Sequence, residues 1–120
     1  MIYNKYGLCA IKAYEKMRWT LCLAGLCSGD FWKYSKCEKG CPKNAFLGIY
    51  GLAKRHSKNA DYALNAIEII KEIPLENLQN ITPSKFWRDY MGMTIRYNSQ
   101  IDVVFALLDK GYLKISCNND

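Results

Sequence analysis

The chain has 120 residues, half of them hydrophobic and 13% aromatic, which is enough apolar material for one folded domain over residues 1–120 and excludes a wholly disordered chain. No apolar run reaches the roughly 18 residues of a membrane span, and no period indicates a coiled coil or a repeat array. Lys and Arg outnumber Asp and Glu by 17 to 11, so the net charge is +6 and an acidic partner is favoured.

The first predicted helix runs from Tyr6 to Ala24. Its apolar positions recur at steps of three and four residues, namely Ala10, Ala13, Met17, Leu21 and Ala24. Such small side chains allow another helix to pack closely, while the other sides carry Lys5, Lys12, Lys16 and Arg18. Beyond Gly25, Asp30 is placed to cap a short aromatic turn that contains Phe31, Trp32 and Tyr34.

A second helix is predicted to begin at Pro42, with Cys41 as its cap, because the fixed backbone angle of proline suits the first helical position. Its apolar stripe comprises Ala45, Phe46, Ile49, Leu52 and Ala53. Gly48 and Gly51 lie three residues apart within this predicted helix. Glycine weakens a helix unless another backbone passes close by, so the pair predicts close packing.

Three further helices complete the prediction. Asn59 is expected to cap the third, whose buried stripe is Ala63, Ala66, Ile67, Ile70 and Ile73, and Pro74 ends it. Thr82-Pro83 predicts a fourth, short helix with Phe86 and Trp87, for which a core position is favoured over an interface.

Ser99 and Asp102 approximate a capping box for the last helix, Ile101 to Lys110. Gly111 is a typical residue after a helix end, and the alternation from Tyr112 to Ile115 is typical of a short strand. The predicted fold is therefore mainly α, a compact bundle of about five helices to which a short C-terminal β element could be added.

Six cysteines allow two interpretations: Cys9, Cys22, Cys27, Cys37, Cys41 and Cys117. The apolar stretch near the N-terminus follows a mixed-charge segment, which is unlike a secretory signal, so we expect a cytoplasmic protein. In the reducing cytoplasm the thiols should stay free, and several of them should serve as small core residues. The alternative is a zinc site formed by Cys22, Cys27, Cys37 and Cys41. Their spacings are looser than those of zinc ribbons, so we predict no metal and no other cofactor.

Three segments resemble a family of small uncharacterised bacterial and phage proteins. The segment Cys41 to Gly48 is similar to that family's CPK-x-AFLGL run, Tyr62, Ala63 and Ala66 to a Tyr-Ala-x-x-Ala helix, and Asn98 to Leu107 to an NSQ-x-DVV-x-AL segment. The similarity covers most of the chain. It implies a bacterial or phage cytosolic origin and no particular activity.

The sequence favours a protein that is not an enzyme. It contains no phosphate-binding loop, nucleophile elbow, zinc-protease helix or dinucleotide fingerprint. The single histidine, His56, lies among cations with no neighbouring acid to orient its ring. The remaining enzymatic alternative is a cysteine nucleophile, Cys37 or Cys41, close to a helix N-terminus that would lower its pKa.

Positive charge is concentrated in the first half of the chain. Residues 1–60 carry 11 Lys and Arg against three acids, whereas residues 61–120 carry six against eight. The predicted binding face consists of Lys33, Lys36, Lys39, Lys43, Lys54, Arg55 and Lys58, with Trp32 and Tyr34 as aromatic platforms. Cations interleaved with aromatic rings suit either a phosphate backbone or an acidic protein groove.

These observations predict a non-catalytic interaction protein that binds an acidic partner, either a protein or a nucleoprotein complex. One concrete version is an inhibitor of a host defence nuclease, similar to an anti-CRISPR protein. The alternative is direct nucleic-acid binding, either non-specific or like a winged helix, since the segment Asp109 to Ile115 is similar to a helix followed by a wing. The acids of the last helix oppose the winged-helix version because they would repel DNA.

Overall fold

The computed structural model describes residues 1–24, 32, 37, 39–51 and 57–113, including the side chains of residues 1–18 in the first range. Its elements in chain order are α1 (Lys5–Ala24), α2 (Gly40–Ile49), α3 (Lys58–Ile70), α4 (Leu75–Leu78), α5 (Pro83–Lys85), a π-helical turn (Phe86–Tyr90) and α6 (Gln100–Asp109). The mainly α prediction is confirmed. Tyr112 lies in a turn rather than in a strand, and residues 114 and 115 lie outside the described part of the chain.

Several predicted features also fall outside the described residues. They are the cap at Asp30 with the rings of Phe31 and Tyr34, the stripe positions Leu52 and Ala53, and the side chains of Leu21, Cys22, Ala24, Cys27, His56 and Cys117. None of the described helices is both long enough and apolar enough to cross a membrane.

Helix α6 is the centre of the molecule, because each residue from Gln100 to Leu107 is buried. On one side lies a first core, formed by Ala45, Ala63, Ala66, Ile70, Leu78, Ile81, Phe86, Trp87, Ile101, Val104 and Phe105. On the other lies a second core, formed by Cys9, Ala10, Ala13, Met17, Trp32, Phe46, Leu47, Val103 and Leu107. A helix that is apolar on nearly every side is stable only when it is covered all round, as α6 is here.

The two aromatic residues of the π-helical turn belong to the first core. Phe86 and Trp87 are both fully buried, so the expected core position is confirmed. The Trp87 ring meets Tyr62 edge to face at 5.0 Å, and its Nε1 donates to the backbone oxygen of Ile95 at 3.0 Å. The polar atom of this buried ring is thereby satisfied.

Two glycines allow helices to approach closely. A Cβ on Gly48 would lie 2.3 Å from the Cβ of Ala60, so α2 and α3 touch at this point, as the glycine pair predicts. A Cβ on Gly7 would lie 2.9 Å from that of Ala106, so α1 also passes close to α6 at this point. Gly51 has a different role from the one expected, because α2 ends at Ile49 and Gly51 follows it with φ +67°.

The predicted helix start is right at Thr82 and wrong for α2 and α3. The Thr82 hydroxyl accepts from the backbone N–H of Lys85, as expected of a cap before Pro83. Helix α2 begins two residues before Pro42, and its Cys41 is helical rather than capping. Proline is tolerated there because the first-turn N–H groups have no partner within a helix.

The start of α3 also differs from the prediction. Ser57 caps this helix by accepting from the backbone N–H of Asn59 at 3.2 Å. The Asn59 side chain instead accepts from Nε2 of Gln100 at 2.8 Å. The capping residue is therefore two positions earlier than predicted, and Asn59 ties α3 to α6.

The C-terminal end of α6 closes as predicted. Gly111 has φ +73° and donates to the oxygen of Leu108, while Tyr112 donates to the oxygen of Leu107 at 2.9 Å. This pair of bonds is a Schellman motif, which satisfies the last carbonyls of the helix.

Candidate binding surface

The described residues contain four members of the predicted binding face. They are Trp32, Lys39, Lys43 and Lys58, whereas Lys33, Tyr34, Lys36, Lys54 and Arg55 lie outside the described residues. The positions of these four residues and of their neighbours show which part of the predicted binding face is brought together in the structure.

Trp32 is not a surface platform. It is 2% exposed and packs in the second core, where its ring centroid lies 5.7 Å from that of Phe46. The predicted stacking role is therefore wrong for Trp32. A large indole gains more from burial than from exposure beside lysines, which the local charge pattern does not reveal.

Lys39 lies immediately before α2 and contacts the start of α1. Its ammonium nitrogen is 5.2 Å from the centroid of the Tyr6 ring, and the ammonium of Lys5 is also 5.2 Å from this point. The two nitrogens are thus no more than about 10 Å apart, twice the 5.2 Å distance. We call Lys5, Tyr6 and Lys39 the Tyr6 cluster.

Lys5 and Tyr6 were not predicted as site residues from the sequence. They are 34 and 33 positions from Lys39, so only the packing of α2 against α1 brings them together. A cation over an aromatic face is attracted by the ring quadrupole, worth about 0.5–1 kcal/mol at an exposed site. This attraction offsets part of the repulsion between the two ammonium groups.

Lys39 also interacts electrostatically with the carboxylate of Asp102. The carboxylate is buried, with only 3% of the residue exposed, and the positive charge of Lys39 acts to lower its pKa. Burial has the larger effect, so the pKa of Asp102 is raised overall, although hydrogen bonds from Tyr97 and Asn4 oppose the shift.

A polar network around Asp102 holds the start of α6. The backbone N–H of Asn4 donates to Oδ1 of Asp102 at 2.8 Å, and the Tyr97 hydroxyl donates to Oδ2. The same hydroxyl accepts from the backbone N–H of Asp102 at 2.9 Å. Together with the Asn4–Ser99 bond and the Asn59–Gln100 bond, these contacts form what we call the Asp102 network.

The network replaces the predicted capping box. Ser99 adopts a left-handed conformation with φ 69°, and its hydroxyl accepts from Nδ2 of Asn4 at 3.1 Å instead of capping α6. Tyr97 caps α6 instead, because its hydroxyl accepts from the backbone N–H of Asp102, the third residue of the helix. Burial is the main cause of the raised pKa of Tyr97, followed by the charge of Asp102, so this hydroxyl stays protonated and able to donate.

The other two described lysines are Lys43, on α2, and Lys58, at the start of α3. Lys43 lies in the first turn of α2, four residues after Lys39, which precedes the helix in an extended conformation. Lys58 begins α3 next to Ala60, which touches Gly48 near the opposite end of α2. Gly48 is nine residues beyond Lys39, which corresponds to about 13 Å along the helix axis at 1.5 Å per residue.

Cys37 is not available as a thiol. It forms a disulfide with Cys9, with Cα atoms 6.4 Å apart, which corrects the expectation that these thiols stay free. Cys37 therefore cannot contribute a thiolate to the predicted zinc site or act as a nucleophile while the bond is intact. Cys41 is a free, half-buried thiol in the first turn of α2, and no cluster of three metal-binding side chains occurs among the described residues.

Helix α6 does not present a recognition surface. Its polar side chains Gln100 and Asp102 are 2% and 3% exposed and belong to the Asp102 network. A recognition helix must project side chains into the groove. The winged-helix alternative therefore does not fit α6.

Comparison with known proteins places the chain in a family. A family of unknown function (DUF6979) matches residues 3–114, and the chain belongs to it. No curated protein and no solved structure matches the chain significantly.

Proposed function

We propose that this member of the DUF6979 family is a non-catalytic interaction protein that binds an acidic partner through a basic surface centred on Lys39, Lys43 and the Tyr6 cluster. The observation that carries the proposal is the convergence of Lys5 and Lys39 on one aromatic ring at 5.2 Å each. The partner is an acidic protein or a nucleoprotein complex, and an inhibitor of a host defence nuclease is one concrete form.

The local electrostatics support an anionic partner. The Tyr6 cluster lies where α1 and α2 begin, and the start of α6 is close enough for Lys39 to influence Asp102. Each helix carries roughly half a positive charge at its N-terminal end, which adds to the ammonium charges. Among the described residues, no carboxylate forms an ion pair with Lys5, Lys39 or Lys43.

The buried carboxylate does not cancel this positive surface. Both oxygens of Asp102 already accept hydrogen bonds from Asn4 and Tyr97, and the group is shielded from solvent. Ammonium groups on the outside therefore remain available to a partner. Interactions between exposed charges are screened over about 8 Å at physiological salt, so binding should weaken as salt is added.

The test is a matched pair of charge reversals. Lys39→Glu with Lys43→Glu alters the proposed surface, and Lys85→Glu with Lys110→Glu makes the same change in net charge at exposed positions elsewhere. Each tagged variant is used for affinity capture from source cells, with and without nuclease, and the captured partner is quantified by mass spectrometry. We expect a captured acidic partner to survive nuclease, to be lost with the first variant and to be retained with the control.

Two results would overturn the proposal. One is capture that is equal for the wild-type protein and the Lys39/Lys43 variant. The other is capture that disappears with nuclease, together with binding of random-sequence DNA or RNA that falls steeply between two salt concentrations, which supports direct nucleic-acid binding instead.

A further inference from the structure

The Cys9–Cys37 disulfide lies beside the Tyr6 cluster. Cys9 is three residues after Tyr6 on α1. Cys37 is two residues before Lys39, so the bond joins the two segments of chain that form the cluster, although the cysteines are 28 positions apart. We infer that Cys37 is a thiol-exchange site and that its bond to Cys9 controls whether Lys39 joins the cluster. The inference rests on the proposed function only for its effect on a partner.

The α1 side of the cluster is anchored independently of the disulfide. The backbone N–H of Asn4 donates to Oδ1 of Asp102 at 2.8 Å, immediately before α1 begins. Gly7 brings the first turn of α1 close to Ala106 on α6. The start of α1, with Tyr6, is therefore expected to keep its position whether or not the disulfide is intact.

The described residues provide fewer anchors on the Lys39 side. Helix α2 packs mainly on α3 and α6 and only sparsely on α1. Its first buried residue is Pro42, and Lys39 precedes the helix in an extended conformation without capping it. Cys37 is half-buried at the edge of the second core. The disulfide is therefore the strongest described connection between this segment and α1.

The intact bond restricts where Lys39 can lie. The Cα atoms of Cys9 and Cys37 are 6.4 Å apart, and two residues of extended chain span at most about 7 Å. The Cα atom of Lys39 thus stays within about 14 Å of that of Cys9, the sum of these distances. Reduction removes this limit, and the attraction of one partly exposed cation for a ring is too weak to replace a covalent bond.

The reduction itself is expected to proceed at Cys37. This residue is half-buried, whereas Cys9 is 6% exposed in the second core. A thiolate of an external dithiol attacks Sγ of Cys37, and Cys9 leaves as a thiolate that takes up a proton. The second thiol of the reagent then attacks the reagent's sulfur in this mixed disulfide and releases Cys37 as a thiol. The protein gains two electrons and two protons, and the dithiol is oxidised to a disulfide.

The experiment is NMR spectroscopy of the oxidised protein and of the same sample reduced with dithiothreitol. Cross-peaks between protons that are close in space report the Lys39–Tyr6 contact, and the Lys5–Tyr6 contact within α1 is the internal reference. We expect the Lys39 cross-peak to be lost on reduction and to return on reoxidation, while the Lys5 cross-peak persists. Alkylation followed by peptide mass spectrometry establishes the state of Cys9 and Cys37.

Two variants separate this disulfide from the other thiols. Cys37→Ala cannot form the bond, so it should lack the Lys39–Tyr6 cross-peak with and without dithiothreitol. It leaves Cys9 in the second core, and circular dichroism checks that the variant folds. Cys41→Ser removes a half-buried thiol in the first turn of α2 and should respond to reduction as the wild type does. The wild-type measurement decides the inference even if Cys37→Ala does not fold.

Both states of the wild type are then titrated with poly-L-glutamate, an acidic polymer used as the probe. Loss of one exposed ion pair should weaken binding on reduction by up to about fivefold. A Lys39–Tyr6 contact that survives complete reduction would overturn the inference, as would measurable affinities that are equal in the two states. Absence of binding in both states counts instead against the proposed function, and the NMR contact still decides the role of the disulfide.

Discussion

The two ends of α6 are held in different ways. At its N-terminal end, the buried Asp102 network joins Asn4, Tyr97 and Asp102 by directional hydrogen bonds. At its C-terminal end, Tyr112 stacks on Tyr14 with ring centroids 4.3 Å apart, and the Tyr50 hydroxyl donates to the oxygen of Tyr112 at 3.0 Å. Polar groups fix the first end and aromatic surfaces hold the second.

The difference determines how each end responds to substitution. A buried donor or acceptor that loses its partner costs the full desolvation of that group, so the polar end has few acceptable alternatives. Half-buried aromatic contacts lose energy in proportion to the surface removed, and neighbouring rings can adjust. We therefore expect substitutions at the Asp102 network to have larger effects than substitutions at the tyrosine stack.

The largest effect is expected from removal of the central carboxylate. Asp102→Ala leaves the hydroxyl proton of Tyr97 and the backbone N–H of Asn4 without their acceptor. We expect the free energy of unfolding to fall by about 3 kcal/mol, measured by urea denaturation. Glu76→Ala, at an exposed position on α4, is the control and should change stability by no more than about 0.5 kcal/mol. Equal effects of the two substitutions would contradict a structural role for the network.

Removal of one hydroxyl at the same end should have the next largest effect. Tyr97→Phe keeps the ring but removes both the donor to Asp102 and the acceptor for its backbone N–H. A loss of about 2 kcal/mol is expected in the same denaturation experiment. If Tyr97→Phe is as stable as the wild type, the hydroxyl does not cap α6.

The contribution of the N-terminal end of α6 to stability should also depend on pH. Burial raises the pKa of Asp102 above its ordinary 3.8, so the folded protein binds the proton more tightly than the unfolded chain does. This group's contribution is therefore complete below pH 3.8 and is lost as pH rises through the folded pKa, by at most about 1.4 kcal/mol per pH unit.

The measurement is urea denaturation of the wild type and of Asp102→Asn across this range. We expect the stability of the wild type, relative to Asp102→Asn, to fall as the pH rises. A relative stability that instead increases with pH would show that hydrogen bonding outweighs burial at Asp102.

The smallest effect is expected at the aromatic end. Tyr14→Leu keeps an apolar side chain but removes the stack on Tyr112, for an expected loss of about 1 kcal/mol. Tyr112→Phe removes only the bond from the exposed hydroxyl to Glu15 and is the milder reference. A loss at Tyr14 larger than that of Asp102→Ala would reverse the comparison between the two ends.

Local patterns predicted those parts of the fold that depend on neighbouring residues. Thr82 caps the helix of Pro83, and Gly111 ends α6, because each requires only a particular side chain at a particular backbone position. Burial of Phe86 and Trp87 followed from helical spacing in the same way.

The errors arose where a distant residue competed for a polar side chain. Asn59 does not cap α3, because Ser57 does so. The Asn59 side chain instead accepts a hydrogen bond from Gln100, 41 positions away. Ser99 likewise bonds to Asn4, at the other end of the chain. Single-sequence patterns contain no signal for such contacts.

The candidate surface shows the same limit. The excess of lysine in the first half of the chain was visible in the sequence and led to Lys39 and Lys43. The Tyr6 cluster was not visible, because it joins residues from α1 with a residue that precedes α2. Trp32 was misassigned because its neighbours in sequence are charged whereas its neighbours in space are apolar.

The position of α6 between the two cores has a consequence for folding. Val103 and Leu107 complete one core, while Ile101, Val104 and Phe105 complete the other, and all five lie on a helix near the end of the described chain. Neither half can exclude water until this helix has been synthesised and inserted. The two halves should therefore melt in a single cooperative transition, with the amides of α6 among the last to exchange their hydrogens.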